Sequence, residues 1–441
     1  MNCKRPSIDD FVSHRSSIGI IGLGYVGLPL ACGLAEVFDV VGFDVSNKRL
    51  DELRRFEDRN KEIASEVLCK LNIKYVNDPV AVRACSLLII TVPTPIDNQN
   101  NPDLGPLTEA VKTVGQNLSH GATVVFESTV YPGCTEERCI PLLEIESGKT
   151  CGEDFFVGYS PERVNPGDKQ FTIKTTRKIV AGDCPETSLL LSEIYKAFIT
   201  EGTYVAPSIK VAEAAKVVEN TQRDLNIALV NELALIFDRL GISTLEVLEA
   251  AGSKFNFHRY SPGLVGGHCI GVDPYYLTWK AESVGYEPKI ILAGRQLNDQ
   301  MGKIVAAKTI EKILESGRSL AQARVLILGW TFKEDVNDIR NSRVFDIWRE
   351  LEAHCESVAA FDPLADIEQV KDEYGVELLK EVGTEVFDVV VIAVKHRKIL
   401  DEFKLNKLIR LGGKKPPVII DVKSAYPVND LREAGAIVWQ L

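Results

Sequence analysis

A glycine-rich turn between a strand-like run and a helix-like run is the feature that most constrains how this chain folds. The apolar residues 17–21 predict a buried strand, Gly22, Gly24 and Gly27 form a GxGxxG pattern, and residues 28–37 predict a helix. In such a turn one glycine makes the tight bend, one lets the backbone approach a pyrophosphate, and one allows close packing of helix on strand. The turn therefore predicts a dinucleotide site, with the phosphates facing the helix N-terminus.

An acidic residue, Asp44, ends the next predicted strand, residues 39–44, at a distance of 22 residues from Gly22. A carboxylate at about this spacing meets the ribose hydroxyls of a bound dinucleotide. An acid rather than an arginine at this position favours NAD over NADP. The alternative interpretation of Asp44 is a plain cap at the end of a strand.

Strands alternate with helices at both ends of the chain, which is typical of doubly wound parallel sheets. Residues 210–240 contain no Gly or Pro and predict one long helix that ends at Gly241; shorter helices are expected at 245–251 and 288–316. We therefore predict an α/β fold with two Rossmann-like doubly wound domains joined by a long central helix. The expected domains are 1–207 (NAD-binding, Rossmann-like), 208–317 (central, helical) and 318–441 (a second Rossmann-like domain). The predicted strands beyond the first two are 86–92, 122–127, 324–329, 357–362, 389–394 and 417–421.

Composition excludes several classes of function. The net charge of −11 argues against general affinity for nucleic acid or anionic membranes, and no apolar run reaches the length of a membrane span. The 10 cysteines include no CxxC pair, and no His/Cys cluster has zinc-binding spacing. We expect a cytoplasmic protein with reduced thiols and no metal, in which most cysteines are small buried apolar groups.

Two further strand ends face the same crevice as the glycine turn, because ligands of open α/β sheets lie beyond the carboxyl ends of the strands. The loop after residues 86–92 contains Thr91, Pro93 and Thr94, and the loop after residues 122–127 contains Ser128 and Thr129. Their hydroxyls can bind cofactor or an ordered water, whereas the alternative is that they only shape turns.

A single cysteine, Cys269, lies in a glycine-rich stretch with Asp273 four residues later. A thiol combined with a hydride acceptor points to oxidation beyond the aldehyde, since a thiohemiacetal can lose hydride and become a thioester. On the long helix, Lys216 and Asn220 share one face, and Lys216 lies among small apolar residues. A desolvated lysine opposite a developing oxyanion is a recognised catalytic arrangement, although most helix lysines lie on the wet face.

The chain resembles the UDP-glucose/GDP-mannose dehydrogenase family from about Ile18 to the C-terminus, and most of all the bacterial members that act on UDP-N-acetylhexosamines. Members of this family use NAD and bind a UDP-sugar, and the resemblance implies that domain 318–441 is the UDP-sugar-binding domain. The motifs that carry the resemblance are 22–29, 159–163, 213–216 with Asn220, the Cys269 loop, and 333–335 leading to 338–340.

The resemblance implies a role for each matching residue. Cys269 is the nucleophile that holds the substrate as a thiohemiacetal and then as a thioester, and Asp273 helps to manage the hydrolytic water. Lys216 and Asn220 stabilise charge on the substrate oxygen. Glu162 is the base of hydrolysis, with Thr129 beside its water. The implied cofactor contacts are Gly22, Gly24, Tyr25, Val26, Gly27, Asp44, Thr91, Pro93, Thr94, Ser128, Thr129 and Arg340. The implied substrate contacts are Glu162, Arg163, Lys216, Asn220, Phe255, His258, Arg259, Tyr260, Gly263, Gly266, His268 and Lys333.

The neighbours of Cys269 separate this chain from the UDP-glucose branch, which has serine before the cysteine and a lysine before the aspartate. Here His268 precedes the cysteine and the lysine is absent. This pattern implies four-electron oxidation of the C6 hydroxyl of UDP-GlcNAc or UDP-GalNAc for surface polysaccharide such as capsule or O-antigen. UDP-ManNAc or UDP-glucose remain alternative substrates, and a two-electron β-hydroxyacid-type dehydrogenase or a non-catalytic sensor are alternative functions. His268 either contacts substrate or orients the loop, and family members are usually homodimers through the long helix.

Overall fold

The computed structural model describes residues 5–164 and 171–441, and in it the chain forms two compact units. The first unit is Met1–Glu219 with Tyr275–Tyr286, and the second is Asn220–Pro274 with Glu287–Leu441. The chain therefore passes between the units inside the long helix, at the start of a later helix, and again just after that helix. The three predicted domain boundaries stay a prediction.

The first unit contains an eight-stranded sheet with the strand order β3-β2-β1-β4-β5-β6-β7-β8. The first six positions follow the order of a dinucleotide-binding sheet, and its topological switch point lies between β1 and β4. All described pairings in this sheet are parallel except that of β6 with β7, which is antiparallel. The strands are β1 (Ser17–Ile21), β2 (Val40–Phe43), β3 (Ile73–Val76), β4 (Cys85–Ile90), β5 (Thr123–Phe126), β6 (Phe156–Tyr159), β7 (Lys178–Gly182) and β8 (Thr203–Val205).

Burial explains why these runs form central strands. Leu87, Leu88, Ile89 and Ile90 of β4 are all fully buried, so both faces of the strand are covered. This is the pattern of a parallel sheet with helices on both sides. The helices of the first unit that precede the long helix are α1 (Ile8–Val12), α2 (Gly27–Ala35), α3 (Asn47–Arg54), α4 (Ser65–Leu68), α5 (Gly105–Gln116), α6 (Ile140–Ser147) and α7 (Pro185–Lys196).

The long helix, α8, spans Ile209–Leu240, as the absence of Gly and Pro predicted, and Gly241 follows it with a left-handed φ of +69°. The next helix, α9 (Thr244–Ala251), begins one residue earlier than expected, and the side chain of Ser243 caps its N-terminus. Two further helices follow, α10 (Asp273–Ser283) and α11 (Lys289–Glu315). In the described residues no helix combines the length and apolar character that crossing a membrane requires.

The second unit contains a five-stranded, fully parallel sheet with the order β10-β9-β11-β12-β13. Apolar residues cover both of its faces, which again fits a doubly wound arrangement. Its strands are β9 (Arg324–Leu328), β10 (Ser357–Phe361), β11 (Val389–Ile392), β12 (Val418–Asp421) and β13 (Val438–Gln440), and its further helices are α12 (Val344–Glu352), α13 (Ile367–Tyr374), α14 (Arg397–Glu402), α15 (Leu405–Arg410) and α16 (Val428–Glu433).

Candidate active site

The glycine turn after β1 has the geometry that a dinucleotide site needs. Gly22 adopts a φ of +96°, and its N–H donates to the carbonyl of Phe43 at 2.8 Å. A Cβ on Gly27 would lie 1.9 Å from the carbonyl oxygen of Gly22, so only glycine allows this approach of helix to strand. A Cβ on Gly24 would meet nothing within 4 Å. The turn is thus closely packed at Gly27 and open above Gly24, which fits a pyrophosphate at the N-terminus of α2.

Asp44 lies half-buried at the end of β2 and faces the same turn. Its Oδ2 accepts a hydrogen bond from the N–H of Leu23 at 2.9 Å, and its Oδ1 accepts one from Ser46 at 2.8 Å. Each carboxylate oxygen can accept a second bond, so capacity for ribose hydroxyls remains. Asp44 therefore acts as a cap and also fits the ribose of a dinucleotide.

The hydroxyls predicted at the strand ends donate to backbone carbonyls of the neighbouring loops. Thr91 Oγ1 lies 2.8 Å from the carbonyl oxygen of Gly22 and supports the glycine turn. Ser128 donates to Val92 and Thr94 donates to Thr129, each at 2.6 Å, so these bonds join the loops after β4 and β5. The cofactor contacts of these hydroxyls, and of Pro93 and the half-buried Tyr25 and Val26, stay predictions.

A buried charge cluster, which the sequence analysis missed, surrounds Lys178 at the start of β7. Its Nζ lies 2.7 Å from Oε2 of Glu127 and 3.1 Å from Oε2 of Glu162, and Tyr195 donates to the other oxygen of Glu127. Burial raises the pKa of Glu127 against the opposing charge of Lys178. A lysine at the start of an apolar strand is the sequence signal that could have revealed this cluster, because an unpaired ammonium is costly to bury.

Glu162, the predicted base, is held by three donors. Besides Lys178, its Oε1 accepts hydrogen bonds from the N–H groups of Arg163 at 2.8 Å and Val164 at 2.6 Å. Burial acts to raise its pKa, but Lys178 and these backbone donors outweigh burial and hold the pKa below the ordinary value. Glu162 is therefore an oriented, ionised carboxylate, whose proton affinity is weaker than that of a free glutamate.

Lys216 on α8 is only 7% exposed. No hydrogen bond or ion pair to its ammonium group is found in residues 5–164 and 171–441. A largely buried lysine of this kind fits a site that receives a ligand oxygen. Nearby in sequence, Glu219 forms an ion pair with Arg163 at 2.6 Å, which fixes the side chain of one predicted substrate contact.

In the second unit the cysteine loop packs against the segment after β9. Gly267 adopts a φ of +81° and its N–H donates to the carbonyl of Arg340 at 3.2 Å, while Asn341 donates to the carbonyl of Gly267 at 3.2 Å. A Cβ on Gly266 would lie 2.6 Å from the carbonyl oxygen of Asn341, and one on Gly267 would lie 2.9 Å from the ring of Phe332. The two glycines before His268 therefore permit this close approach.

His268 faces an acidic residue of that segment. Its Nδ1 lies 3.6 Å from Oδ2 of Asp338, which is ion-pair distance rather than hydrogen-bond distance. Arg340 holds the same carboxylate through both oxygens, at 2.9 and 2.6 Å. The guanidinium predicted to contact the cofactor thus has a structural partner in its own unit, and its cofactor contact stays a prediction.

Asp273 and Asn220, both predicted to be catalytic, contact each other. Nδ2 of Asn220 donates to Oδ2 of Asp273 at 2.5 Å, and both side chains are buried. The N–H of Asp273 donates to the carbonyl of Cys269 at 2.8 Å, so Cys269 occupies the turn that leads into α10. One amide hydrogen of Asn220 is therefore engaged, and its second hydrogen can serve a substrate oxygen.

Asn231, another residue that the sequence analysis missed, fixes the start of the cysteine loop. It accepts from the N–H of Gly263 at 2.7 Å and donates to the carbonyl of Gly263 at 3.0 Å. The same amide donates to Asn298, which in turn donates to Asp224, and Arg295 pairs with Asp224 at 2.5 Å. This fully buried network joins α8 and α11 beneath the loop.

The predicted substrate residues between α9 and the cysteine loop lie at the surface of the second unit. Phe255 is 97% exposed, His258 is exposed, and Tyr260 is half-buried. Arg259 donates to the carbonyl of Gly252 at 3.0 Å. In the described part of the chain no hydrogen bond or ion pair joins these four residues to Cys269, and their substrate contacts stay predictions.

The crevice at the carboxyl ends of the second sheet has a glycine turn like that of the first sheet, but its acidic residue, Asp362, has more hydrogen-bond partners than Asp44. Gly329 has a φ of +92° and donates to Phe361 at 2.8 Å, as Gly22 donates to Phe43. Asp362, at the end of β10, accepts from the N–H groups of Trp330 and Thr331, and His396 lies 2.9 Å from the same oxygen. The Asp362 carboxylate is therefore occupied by the protein's own groups, which distinguishes this crevice from the dinucleotide site of the first sheet.

A small, partly open cavity lies beside this crevice. Lys333 and Lys423 line it with Glu334, whose pKa is held low, against the effect of burial, by Lys423, Lys395 and Lys333. Two lysine side chains beside a glycine turn fit the phosphates of a nucleotide. No group of three or more potential metal ligands of the His, Cys, Asp and Glu types occurs in the described ranges.

Comparisons with known proteins identify the family. Three profiles of the UDP-glucose/GDP-mannose dehydrogenase family match the chain in order. They are the NAD binding domain at residues 16–199, the central domain at 210–300 and the UDP binding domain at 326–428. Together they cover most of the 441 residues.

Two curated relatives and one solved structure show how far the similarity extends. UDP-N-acetyl-D-glucosamine 6-dehydrogenase of Salmonella typhi is 51% identical over 93% of this chain and 97% of its own length. The Pseudomonas aeruginosa protein of the same name is 48% identical over 92% and 96%. The structure of UDP-D-ManNAc dehydrogenase from Pyrococcus horikoshii superposes with a TM-score of 0.85 at 28% identity, covering 96% of this chain and 98% of that one.

These similarities confirm the predicted fold class, the resemblance and the NAD cofactor. The glycine turn, Asp44 and the open space above Gly24 supply the matching geometry. The chain is an NAD-dependent nucleotide-sugar dehydrogenase and belongs to the UDP-glucose/GDP-mannose dehydrogenase family.

Proposed function

We propose that this enzyme oxidises the C6 hydroxyl of a UDP-N-acetylhexosamine, UDP-GlcNAc or UDP-GalNAc, to the carboxylate. The sugar alcohol, one water and two NAD⁺ give the uronic acid anion, two NADH and three protons. The observation that carries the proposal is the placement of Cys269 in a loop built by Gly266 and Gly267, followed by the Asp273–Asn220 pair. A two-electron dehydrogenase has no use for a thiol held in this way.

The residues that hold NAD in this proposal are those of the glycine turn, Asp44 and the strand-end hydroxyls. When bound, NAD supplies a hydride acceptor for the carbon that is oxidised. Lys216 and Asn220 stabilise the alkoxide or oxyanion on the substrate oxygen, because a buried ammonium and an amide N–H are strong donors in a low dielectric. The burial of the Lys216 side chain, which is only 7% exposed, supports its role.

The thiol carries the carbon between the two oxidation levels. The Cys269 sulfur adds to the C6 aldehyde, and the carbonyl π electrons move onto the oxygen, which gives a thiohemiacetal. After the second oxidation the same sulfur holds a thioester. Water then adds to the thioester carbonyl and the thiolate leaves, with Glu162 as the oriented base, Thr129 beside the water, and Asp273 assisting. The hydrogen bonds to Glu162 support orientation more than strong basicity.

The substrate assignment rests on the cavity of the second unit and on the relatives. Lys333 and Lys423 suit the diphosphate, and Arg163, Phe255, His258, Arg259 and Tyr260 complete the proposed contacts. The two UDP-N-acetyl-D-glucosamine 6-dehydrogenases share about half of the sequence with this chain, which favours an N-acetylated sugar. The surface-polysaccharide role stays a prediction.

One assay tests this function. NADH formed per sugar is measured with UDP-GlcNAc, UDP-GalNAc, UDP-ManNAc and UDP-glucose. We expect two NADH per sugar and the highest kcat/KM with one of the first two. Cys269→Ser should abolish or severely slow turnover, whereas Cys355→Ser, at a half-buried thiol of the second unit, should not. One NADH per sugar, or full four-electron turnover by Cys269→Ser, would contradict the mechanism.

We also infer a homodimer through α8. Large apolar side chains remain exposed along this helix at Val211, Val218, Leu229, Ile236 and Leu240. A contiguous exposed apolar surface marks a protein contact more often than a free surface. Light scattering during gel filtration should give twice the chain mass, and Leu229→Glu should shift the protein toward monomer. A monomeric native protein would exclude this interface.

The compartment that we propose is the cytoplasm. All nine cysteines in the described ranges are free, and free thiols persist in reducing compartments. Cell fractionation with a cytoplasmic marker enzyme tests this assignment.

A further inference from the structure

His268, which precedes the proposed nucleophile Cys269, contacts a fixed carboxylate of the second unit. His268 interacts with the side chain of Cys269, and the Nδ1 of the ring lies 3.6 Å from Oδ2 of Asp338. The Asp338 side chain is almost fully buried and Arg340 binds it at 2.9 and 2.6 Å, so the carboxylate is fixed. Gly267, through its bond to the Arg340 carbonyl, sets the loop at the distance where this contact forms.

We propose that His268, held by Asp338 and Arg340, takes the proton of the Cys269 thiol, so that the nucleophile is a cysteine–histidine pair. The proton moves from sulfur to the imidazole, the sulfur keeps the electron pair, and the resulting imidazolium faces the Asp338 carboxylate. This inference rests on the proposed role of Cys269 as nucleophile and adds the group that activates it. A thiolate, not a thiol, adds to carbonyl carbon.

The charges around the ring support this direction of proton transfer. In the described residues the titratable and charged groups that act on His268 are Cys269, Asp338 and Arg340. Burial and Arg340 favour the neutral ring, but the interactions with Cys269 and Asp338 outweigh them and raise the pKa of His268 to about 9. Asp338 has a pKa below its ordinary value, since His268 and Arg340 outweigh the effect of its burial. His268 and Asp338 are therefore both charged near neutral pH.

The geometry also explains why Asp338 and Arg340 belong together. Without Arg340, a buried carboxylate facing a histidine would itself take up a proton more readily. With Arg340 bound to both of its oxygens, Asp338 stays ionised and can orient the imidazolium. Arg340 is thus a positioning residue for His268 in addition to its predicted contact with the cofactor.

The test measures the thiol directly, without sugar or NAD, so that it is independent of the overall reaction. Alkylation of Cys269 by iodoacetamide is followed between pH 5 and 10, with peptide mapping to separate it from the other cysteines. The readout is the pH at which alkylation reaches half of its maximal rate. The absolute rate is a poor readout, because a more acidic thiol is more often ionised but its thiolate is less nucleophilic, and the two effects partly cancel.

We expect His268→Gln to move this midpoint upward by about one pH unit or more, since each unit corresponds to a tenfold change in the protonation equilibrium. Asp338→Asn should move it in the same direction by less. The control, His354→Gln, changes an exposed histidine of the same unit and should leave the midpoint in place. An equal midpoint in wild type and His268→Gln overturns the pair, and an unchanged midpoint in Asp338→Asn overturns the role of Asp338.

A second measurement does not depend on whether the histidine variant folds. The ring of His268 is titrated by NMR in the wild type and in Cys269→Ser, because the two groups of a coupled pair must affect each other equally. We expect a midpoint near 9 in the wild type and a shift toward the ordinary histidine range in Cys269→Ser. The same midpoint in both proteins would overturn the proposal, whereas failure to form NADH with any UDP-sugar would reject only the proposed function.

Discussion

The Nζ of Lys178 lies 2.7 Å from Oε2 of Glu127, and both side chains are almost completely buried. Glu162 contacts the same ammonium at 3.1 Å, so a single lysine separates two carboxylates. Burial disfavours all three charges, yet the two carboxylates together raise the pKa of Lys178 above its ordinary value. Lys178 therefore helps to hold Glu162, the proposed base of the hydrolysis step, in place.

Lys178→Met should be strongly destabilising, because it leaves two buried carboxylates facing each other without a cation. Removal of one partner of a buried ion pair costs about 3–5 kcal/mol of unfolding free energy. Thermal unfolding of the first unit is the measurement. Lys174→Met is the control, since Lys174 pairs with Glu36 at the surface, where ion pairs contribute little. Equal losses of stability in the two variants would contradict this account.

The glycine turn allows folding and cofactor binding to be separated. Gly27→Ala should lower the melting temperature, because its Cβ would lie 1.9 Å from the carbonyl oxygen of Gly22 and 2.5 Å from Thr91 Oγ1. Gly24→Ala should leave the melting temperature unchanged, because its Cβ meets nothing within 4 Å, and should weaken NAD binding at least severalfold. Calorimetric titration of NAD measures the second effect. Undiminished NAD affinity in Gly24→Ala would place the pyrophosphate elsewhere.

Local patterns predicted much of the fold. β1 was predicted with its observed bounds and α8 to within one residue, because buried strands and uninterrupted helices are specified by neighbouring side chains. The antiparallel pairing of β6 with β7 was not predicted. Its strands are only four and five residues long, and their direction depends on the path of the intervening chain rather than on their own composition.

The candidate site shows the same division between local and distant information. Cys269, Asp273, Lys216 and Asn220 stand in recognisable motifs, so their identities could be predicted. Their partners could not, since Lys178 is 51 residues from Glu127, and His268 meets Asp338 only after the second sheet has formed. Lys423 was accessible to prediction, because it follows the buried strand β12 at the carboxyl edge of a sheet, where ligands bind.

Asn231 offers a test of how the cysteine loop is supported. Asn231→Asp keeps the shape of the side chain but replaces the donor that serves the Gly263 carbonyl and Asn298 Oδ1 with an acceptor. Each unsatisfied buried group costs about 1–3 kcal/mol, so the second unit should melt earlier and turnover should fall. Asn226→Asp is the control, because Asn226 lies on the same helix but is only half-buried, and the hydrogen bond found for its side chain in the described residues goes to the carbonyl of Gln222 in that helix. Unchanged melting of Asn231→Asp would show that the loop has another support.

Glu213 on α8 should make stability depend on pH in an unusual direction. The carboxylate is fully buried and accepts from the N–H groups of Gly133 at 2.5 Å and Thr135 at 2.9 Å. Burial nevertheless outweighs these bonds and raises the pKa of Glu213 from 4.5 to about 7. The folded protein then binds the proton more tightly than the unfolded chain. Its contribution is complete below about pH 4.5 and is lost as the pH rises through 7.

The loss should amount to roughly 3 kcal/mol of unfolding free energy between pH 4.5 and 8, since one pKa unit corresponds to about 1.4 kcal/mol. Glu213→Gln removes the titration and keeps an acceptor for one of the two N–H groups, so its own loss of stability does not depend on pH. Melting temperatures of the two proteins are compared from pH 5 to 8, which cancels the titration of all other groups. We expect the melting temperature of Glu213→Gln to rise relative to that of the wild type as the pH increases. A constant difference would mean that Glu213 stays ionised in the folded protein, held by Gly133 and Thr135 despite its burial.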